Sequence, residues 1–354
     1  VADFPNPNLT WEVVTTTYIG FDALMFNNKF NLTVEWYNRE TDGILQRVNL
    51  PYSVGTLNPL FNIGQLENRG VDIQLGFNNR VGDFTYGISG NVSFLQNEVT
   101  NLFDDQPIET DEFGRVEEGR SVGHLWGYKV GGVFQSQAEI DAYFEGLEDQ
   151  TIGNEDFVAP GDLFFQDVGG NPTEEEQFYS TTPDGLINSF DRTEIGKTIP
   201  SYTYGVNLTA GWKGIDISMN FYGEGDVQKV NDVRRRFEGM SGAGGNFFAS
   251  TLNRWTPQNT TTDMPRAVVG DPANNNRFST RWVENAGFFR LNTWQLGYTL
   301  PSSVLDALNN TVQSLRVYVG GQNNIYMFNW TGIDPVNDEF PLPRSYNVGL
   351  NVRF

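Results

Sequence analysis

Cysteine is absent from the 354 residues, and histidine occurs once, as His124. The first absence excludes a disulfide framework, thiolate metal sites and cysteine nucleophiles. The second excludes multi-histidine metal centres and leaves any Ser-His-Asp triad to be built on one residue. No apolar run approaches the roughly 18 residues that a membrane-crossing helix needs. Basic residues are scarce: 23 Lys and Arg stand against 44 Asp and Glu, for a net charge of −21. That balance argues against nucleic acid as a partner, because phosphate contacts need the opposite sign. Together these absences argue against an enzyme.

What is present is unevenly placed. Between Phe103 and Asp191 there are 21 acidic residues against Arg115, Arg120 and Lys129, a charge of −18, which leaves −3 for the rest. Aromatics make up 14% of the chain, too many for a disordered acidic protein. The start, Val1-Ala2-Asp3, carries no Met, signal peptide or anchor, and reads as a cut within a longer chain.

The strongest pattern is period-2 alternation in segments of about ten residues, the length a tilted strand needs to cross a bilayer. At the C-terminus Tyr346, Val348, Leu350, Val352 and Phe354 alternate with Ser345, Asn347, Gly349, Asn351 and Arg353. Phe30, Leu32, Val34 and Trp36 do the same, as do Val71 to Phe77, Phe84 to Phe94, Tyr202 to Trp212 and Ile215 to Phe221. Soluble sandwiches also alternate. Here the polar face is rich in Asn, Thr, Ser, Gly and Gln, as a wet lumen requires, and Trp11, Trp36, Trp212, Trp294 and Tyr298 crowd strand ends as interfacial girdles do.

Connections alternate too. Asn27-Asn28, the stretch 79–83 and Lys213-Gly214 read as short turns, with a modest one from Leu300 to Ser314. Long loops are expected near 46–64, 97–201, 224–287 and 325–343. Nine strands follow, near 10–24, 29–45, 66–77, 84–96, 202–212, 215–223, 288–300, 315–324 and 345–354. With short turns periplasmic and long loops extracellular, the C-terminus falls in the periplasm and at least one further strand must precede the first. Parity allows zero or two spanning strands within 97–201. The alternation from His124 to Gln135 favours an extracellular extension of the barrel wall there.

These residues resemble the SusC-like (SusC/RagA-type) TonB-dependent outer-membrane transporters. Matching stretches include Asn6-Pro7-Asn8-Leu9-Thr10-Trp11-Glu12, Glu67-Asn68-Arg69-Gly70-Val71, Trp126-Gly127-Tyr128-Lys129 and Gly132-Val133-Phe134-Gln135. Pro160-Gly161-Asp162-Leu163, Asp191 to Gly196, Phe289-Arg290-Leu291, Leu296 to Pro301, Val317 to Asn323 and Pro341-Leu342-Pro343-Arg344 continue the match. The resemblance implies an all-β transmembrane antiparallel barrel of 22 strands. Residues 1–354 would form its C-terminal part, with about 9–11 strands and the long acidic extracellular region 97–201. The plug, TonB box and early strands would lie elsewhere.

It further implies import of glycan oligosaccharides or peptides under a SusD-like lipoprotein, driven by TonB-ExbB-ExbD. Outer-membrane lipid and the barrel-assembly machinery would be the other partners, the latter through Phe354 as a C-terminal signal. No catalytic residue is expected. Related chains commonly carry a compact Asp-x-Asn-Gly-Asp-Gly run similar to a calcium loop. Here Asp167 and Asn171 are separated by an insertion from Asp184, Asn188 and Asp191. Oxygen ligands at such positions could wrap calcium, and a solvated loop of Asx turns is the alternative. Arg234-Arg235-Arg236 could pair with the acidic region or with a lid protein. Trp255, Phe247, Phe248, Trp282 and Trp330 are candidates for stacking on sugar rings or for loop packing, and His124 for a structural or interfacial role. A competing function is a barrel subunit of a secretion or surface-attachment assembly; an outer-membrane lipase would need a serine beside His124.

Overall fold

The computed structural model describes residues 6–47, 60–62, 64–102, 105–147, 149–150, 157–242, 245–305, 312–337 and 340–354. Most of the loop expected at 46–64 and the middle of the 300–314 turn lie outside the described residues. The chain divides into two compact units, one built from 1–100, 200–227 and 286–354, the other from 101–199 and 228–285.

The first unit is built on a nine-stranded sheet in which every strand pairs with its neighbours in chain order, and a small hairpin of Leu45–Arg47 with Leu60–Asn62 stands beside it in the sequence. Its strands are β1 (Val13–Met25), β2 (Phe30–Asp42), β3 (Gly64–Val81), β4 (Phe84–Leu102), β5 (Tyr202–Trp212), β6 (Ile215–Gly225), β7 (Phe288–Thr299), β8 (Ser314–Phe328) and β9 (Ser345–Arg353). All nine expected strands are present, in the expected order. This up-and-down meander is the wall of a transmembrane β-barrel. Among the described residues no helix is long and apolar enough to cross a membrane.

The turns explain the local chemistry. Phe26, Asn27 and Asn28 all take left-handed backbone (φ 55, 57 and 63°), which asparagine tolerates better than most residues. The turn expected at 79–83 contracts to Gly82-Asp83, because pairing-competent strand runs through Val81 and restarts at Phe84. At Lys213-Gly214 both residues have positive φ, and a Cβ on Gly214 would sit 2.6 Å from the carbonyl oxygen of Thr299. Glycine is needed there twice over.

Register turns the alternation into rows. Phe84, Trp212, Ile215, Tyr298, Val317 and Leu350 lie directly opposite one another from β4 to β9. Near the other end, Ile19, Trp36 and Val71 form one row and Phe94 and Tyr202 another. Trp212 and Tyr202 are ten residues apart on β5. At about 3.4 Å per residue and a tilt of about 40°, that is roughly 25 Å, the height of a lipid-facing band. Apolar side chains on and between these rows are exposed or half-buried: Val348 is 79% exposed and Leu350 64%, Ile88 and Leu296 are exposed, and Val206, Leu208, Ile217 and Met219 are half-buried. Such a face belongs in hydrocarbon rather than water.

Above the Trp36 row the same face changes character. Its outward positions become Asn38, Glu40 and Asp42 on β2, Arg69 and Glu67 on β3, and Gln96 and Glu98 on β4. These side chains bond to one another, Gln65 to Asp42 at 2.9 Å and Arg69 to Gln96 at 3.2 Å. The wall therefore rises beyond the bilayer through the length of β3 and β4.

The second unit holds small sheets around its own core. A four-stranded sheet joins Ile108–Glu109, Gly114–Val116, His124–Tyr128 and Arg192–Gly196. Val130–Val133 pairs with Leu163–Phe165, and Gln228–Val230 with Val283–Asn285. Val133, Leu163, Phe165 and Ile187 form a buried cluster with Tyr128, Tyr143 and Trp255 packed on it. The segment 124–135 is thus no extension of the barrel wall. Its hydrogen bonds go to 114–116, 192–196 and 163–165, and His124, Leu125, Trp126 and Gly127 are buried in succession, so both faces of the strand His124–Tyr128 are packed.

Candidate functional site

The inward face of the sheet is polar from end to end. Thr33 donates to Asp22 (2.6 Å), Asn220 to Asn207 (2.7 Å) and Asn292 to Asn220 (3.1 Å), and Ser93 bonds Asp72. A recess of about 420 Å³ is lined by Glu35, Asp72, Asn91, Ser93 and Asn207. Nearer the short turns, Arg316 of β8 reaches across β7 to Asp216 of β6, Nε to Oδ1 at 2.8 Å, and also donates to Gln295 at 2.9 Å. Its guanidinium lies over Gly297, where any Cβ would collide with it. At the long-loop end Asp334, 1% exposed, accepts from the Tyr326 hydroxyl (2.8 Å) and from the amides of Val336 (2.8 Å) and Leu342 (3.1 Å). The 329–343 connection is thereby tied to β8. This surface can hydrogen-bond a polar solute along its whole height.

The five residues expected to hold calcium do come together. Gly170 and Ser180 exchange backbone bonds (3.0 and 2.9 Å), so the insertion loops out and the interrupted spacing is repaired in space. Asp184 accepts from the amide and side chain of Asn171 (2.9 and 2.8 Å) and from Leu186 (3.0 Å). Asp191 accepts from Val168 (3.0 Å), Gly169 (3.3 Å) and Asn188 (2.7 Å), and Asn188 caps Phe190 (2.7 Å). Asp167 accepts from Gly185 (2.8 Å) with one oxygen, while its Oδ1 is buried without a partner. Burial raises the Asp191 pKa despite the three amides pulling the other way. Among the described residues no three acidic or histidine side chains converge as a ready metal cluster.

Charges elsewhere in this unit are mostly paired. Arg234 bonds Glu238 (2.7 Å) and Glu284 (2.9 Å), and Arg235 pairs with Glu112 (2.6 Å) inside the acidic region. His124 is fully buried, its Nδ1 3.1 Å from the Ser121 carbonyl, against the edge of Trp126. Trp282 and Trp330 are buried, leaving Phe247 and Phe248 as the more exposed loop rings. Phe354 ends the outward row of β9, 76% exposed. One organiser had no advance signal beyond its motif. Asp162, wholly buried, accepts from Ala159 (2.9 Å), Asn275 (2.8 Å) and both Nε and Nη2 of Arg266 (2.8 Å each).

Residues 1–224 match the family model described as TonB dependent receptor-like, beta-barrel. TonB-dependent receptor P3 of Formosa agariphila is 29% identical across the whole chain, and TonB-dependent receptor SusC of Bacteroides thetaiotaomicron is 24% identical over 99% of it. The chain spans about a third of these relatives, 35% and 32% of their lengths. Among solved structures, the RagAB peptide importer in the closed-closed state superposes with a TM-score of 0.77 at 26% identity, covering 99% of this chain and 36% of that one.

Proposed function

Because the chain belongs to the TonB-dependent receptor-like β-barrel family of outer-membrane proteins, we propose that it is the C-terminal barrel portion of an importer that moves oligosaccharide or peptide nutrients across the outer membrane. The observation that carries this is the two-faced sheet: an apolar band about one bilayer tall outside, and continuous hydrogen-bonding side chains inside. A wet inner wall offers a polar solute replacements for lost water contacts, without a chemical step. Energy would come from TonB-ExbB-ExbD through an N-terminal portion, and a SusD-like lipoprotein would cover the long-loop end. Relatives named as receptors and importers support this reading.

Deleting the gene and supplying glycan or peptide as sole nutrient tests it. Uptake lost in the deletion strain and abolished by an uncoupler supports import. Unchanged uptake of every nutrient, with a secreted protein lost instead, would favour the secretion or attachment role. Mass spectrometry of the detergent-extracted complex tests the partner, a co-purifying surface lipoprotein being the expected companion.

Calcium at the 167–191 knot is a separate proposal and rests on Asp167 Oδ1, the carboxylate oxygen buried there without a donor. A hard cation wants six to eight oxygens, so Asn171, Asp184, Asn188 and Asp191 would have to exchange some amide bonds for it. Melting curves in calcium and in chelator decide this: a rise with calcium supports it, and superimposable curves exclude it.

A further inference from the structure

Acids outnumber bases almost two to one in this chain, so an arginine without a carboxylate is an anomaly. In the second unit Arg115, Arg120, Arg192, Arg234, Arg235 and Arg266 each pair with one. Arg281 does not. Its Nη1 donates to the backbone carbonyl of Asp263 at 2.8 Å, while Nε and Nη2 are shielded from solvent and have no acceptor. Of the two carboxylates whose charge reaches Arg281, Asp263 and Glu238, the second is engaged by Arg234, which also holds Glu284. Arg234 and Arg281 lie over the same ring, Trp282, at 5.8 and 5.1 Å. Burial and the neighbouring Arg234 charge push the Arg281 pKa down to about 10, so the guanidinium is still charged at neutral pH.

The vacant edge has a defined chemistry. Nε and Nη2 form the side of a guanidinium that holds a carboxylate with two parallel bonds. Arg266 uses that edge on Asp162 in this molecule, and Arg316 uses it on Asp216. Arg281 also lines a cavity of about 360 Å³ with Val130, Val133, Gln135, Thr262 and Thr280. Its wall combines aliphatic surface and hydroxyls with two guanidiniums, Arg234 and Arg281, against one carboxylate, Asp263, a setting suited to a small organic acid.

We propose that this cavity binds a carboxylate group of the imported solute, with a rotamer change of Arg281 turning its Nε/Nη2 edge onto the ligand. The group would be a peptide C-terminus or a uronic acid. The proposal rests on the import reading for the origin of the ligand, and its test is a binding measurement that does not require transport. Asp263, an exposed residue, also lines this cavity, and its charge acts against anion binding.

Titration calorimetry on the purified full-length receptor uses N-acetyl-alanyl-alanine, its C-terminal amide, glucuronic acid and glucose as probes. At least one acid is expected to bind, with its neutral counterpart at least about tenfold weaker. The pair that discriminates identifies the source of the carboxylate. Arg281→Gln is expected to lose about tenfold or more, and Arg281→Lys to lose most of that, because an ammonium lacks the fork. Should Arg281→Gln lower the melting temperature, Asp263→Asn decides, since it should strengthen acid binding several-fold from an exposed position. Equal affinity for acid and neutral probe, no binding of either acid, or unchanged affinity in Asp263→Asn overturns the proposal. Unchanged uptake in the deletion strain, with acid binding intact in the purified receptor, would instead count against import alone.

Discussion

At the residue scale the two faces of β9 make the sharpest contrast. Val348 and Leu350 point outward and are exposed, while Asn347 and Asn351 point inward. Leu350 lies in the row of Trp212 and Tyr298, at the edge of the apolar band, whereas Val348 sits one row deeper with Leu296 and Ile217. Arginine on a lipid face costs about 2–4 kcal/mol at mid-membrane and about 0–1 near the interface. Val348→Arg should therefore destabilise the folded barrel more than Leu350→Arg, and Asn347→Arg least. Urea titration in lipid vesicles measures this order, and equal losses at 347 and 348 would refute the facing.

His124 gives a pH prediction. Burial depresses its pKa below the ordinary 6.5, overriding the Ser121 carbonyl and the nearby Glu194 and Glu117. The unfolded chain then takes up a proton before the folded one does, so stability falls as pH drops below 6.5 and levels off once the folded pKa is passed. Thermal melts of the second unit's transition between about pH 7.5 and 5 should show a shallower slope for His124→Gln than for the parent. Parallel slopes would mean that His124 does not contribute. That it belongs to no histidine cluster was legible from its being alone. That it sits 3.9 Å from Glu117 was not, because Glu117 comes from a different strand connection.

At the element scale the strands were readable because each crosses two environments with a period of two, and the bilayer amplifies the contrast. The same rule misled at 124–135, where the side chains alternate in the sequence although the strand His124–Tyr128 is packed on both faces within a local sheet. Periodicity reports that one face is buried and says nothing of which partner buries it. The cross-strand clamp of Arg316, Asp216 and Gln295 over Gly297 was likewise invisible, since Gly297 reads only as a small residue in a strand. Gly297→Val should push the guanidinium aside and cost about 1–3 kcal/mol. If that cost runs through the ion pair, adding it to Arg316→Ala should cost much less than the sum. Strict additivity in denaturant titrations would separate the two.

At the scale of the whole molecule, the acid-rich 97–201 region emerged from charge counting, yet it is only part of a unit. Residues 228–285 complete it, through the pairing of Gln228–Val230 with Val283–Asn285 and the ion pair of Arg235 with Glu112. Contacts over such separations leave no local trace in the sequence. The knot at 167–191 shows the same gap: its residues were named, but the bond between Gly170 and Ser180 that joins them was not foreseeable.

The central claim is that this sheet spans the outer membrane with short turns inside the periplasm and long loops outside. The absence of cysteine makes single-cysteine labelling on whole cells its most direct test. With a membrane-impermeant maleimide, Gln258→Cys in the second unit should label on intact cells. Lys213→Cys in the β5–β6 turn should label only after the outer membrane is permeabilised, and Val348→Cys only with a lipid-soluble reagent. Labelling of Lys213→Cys on intact cells, or of Val348→Cys by the impermeant reagent, would contradict the account.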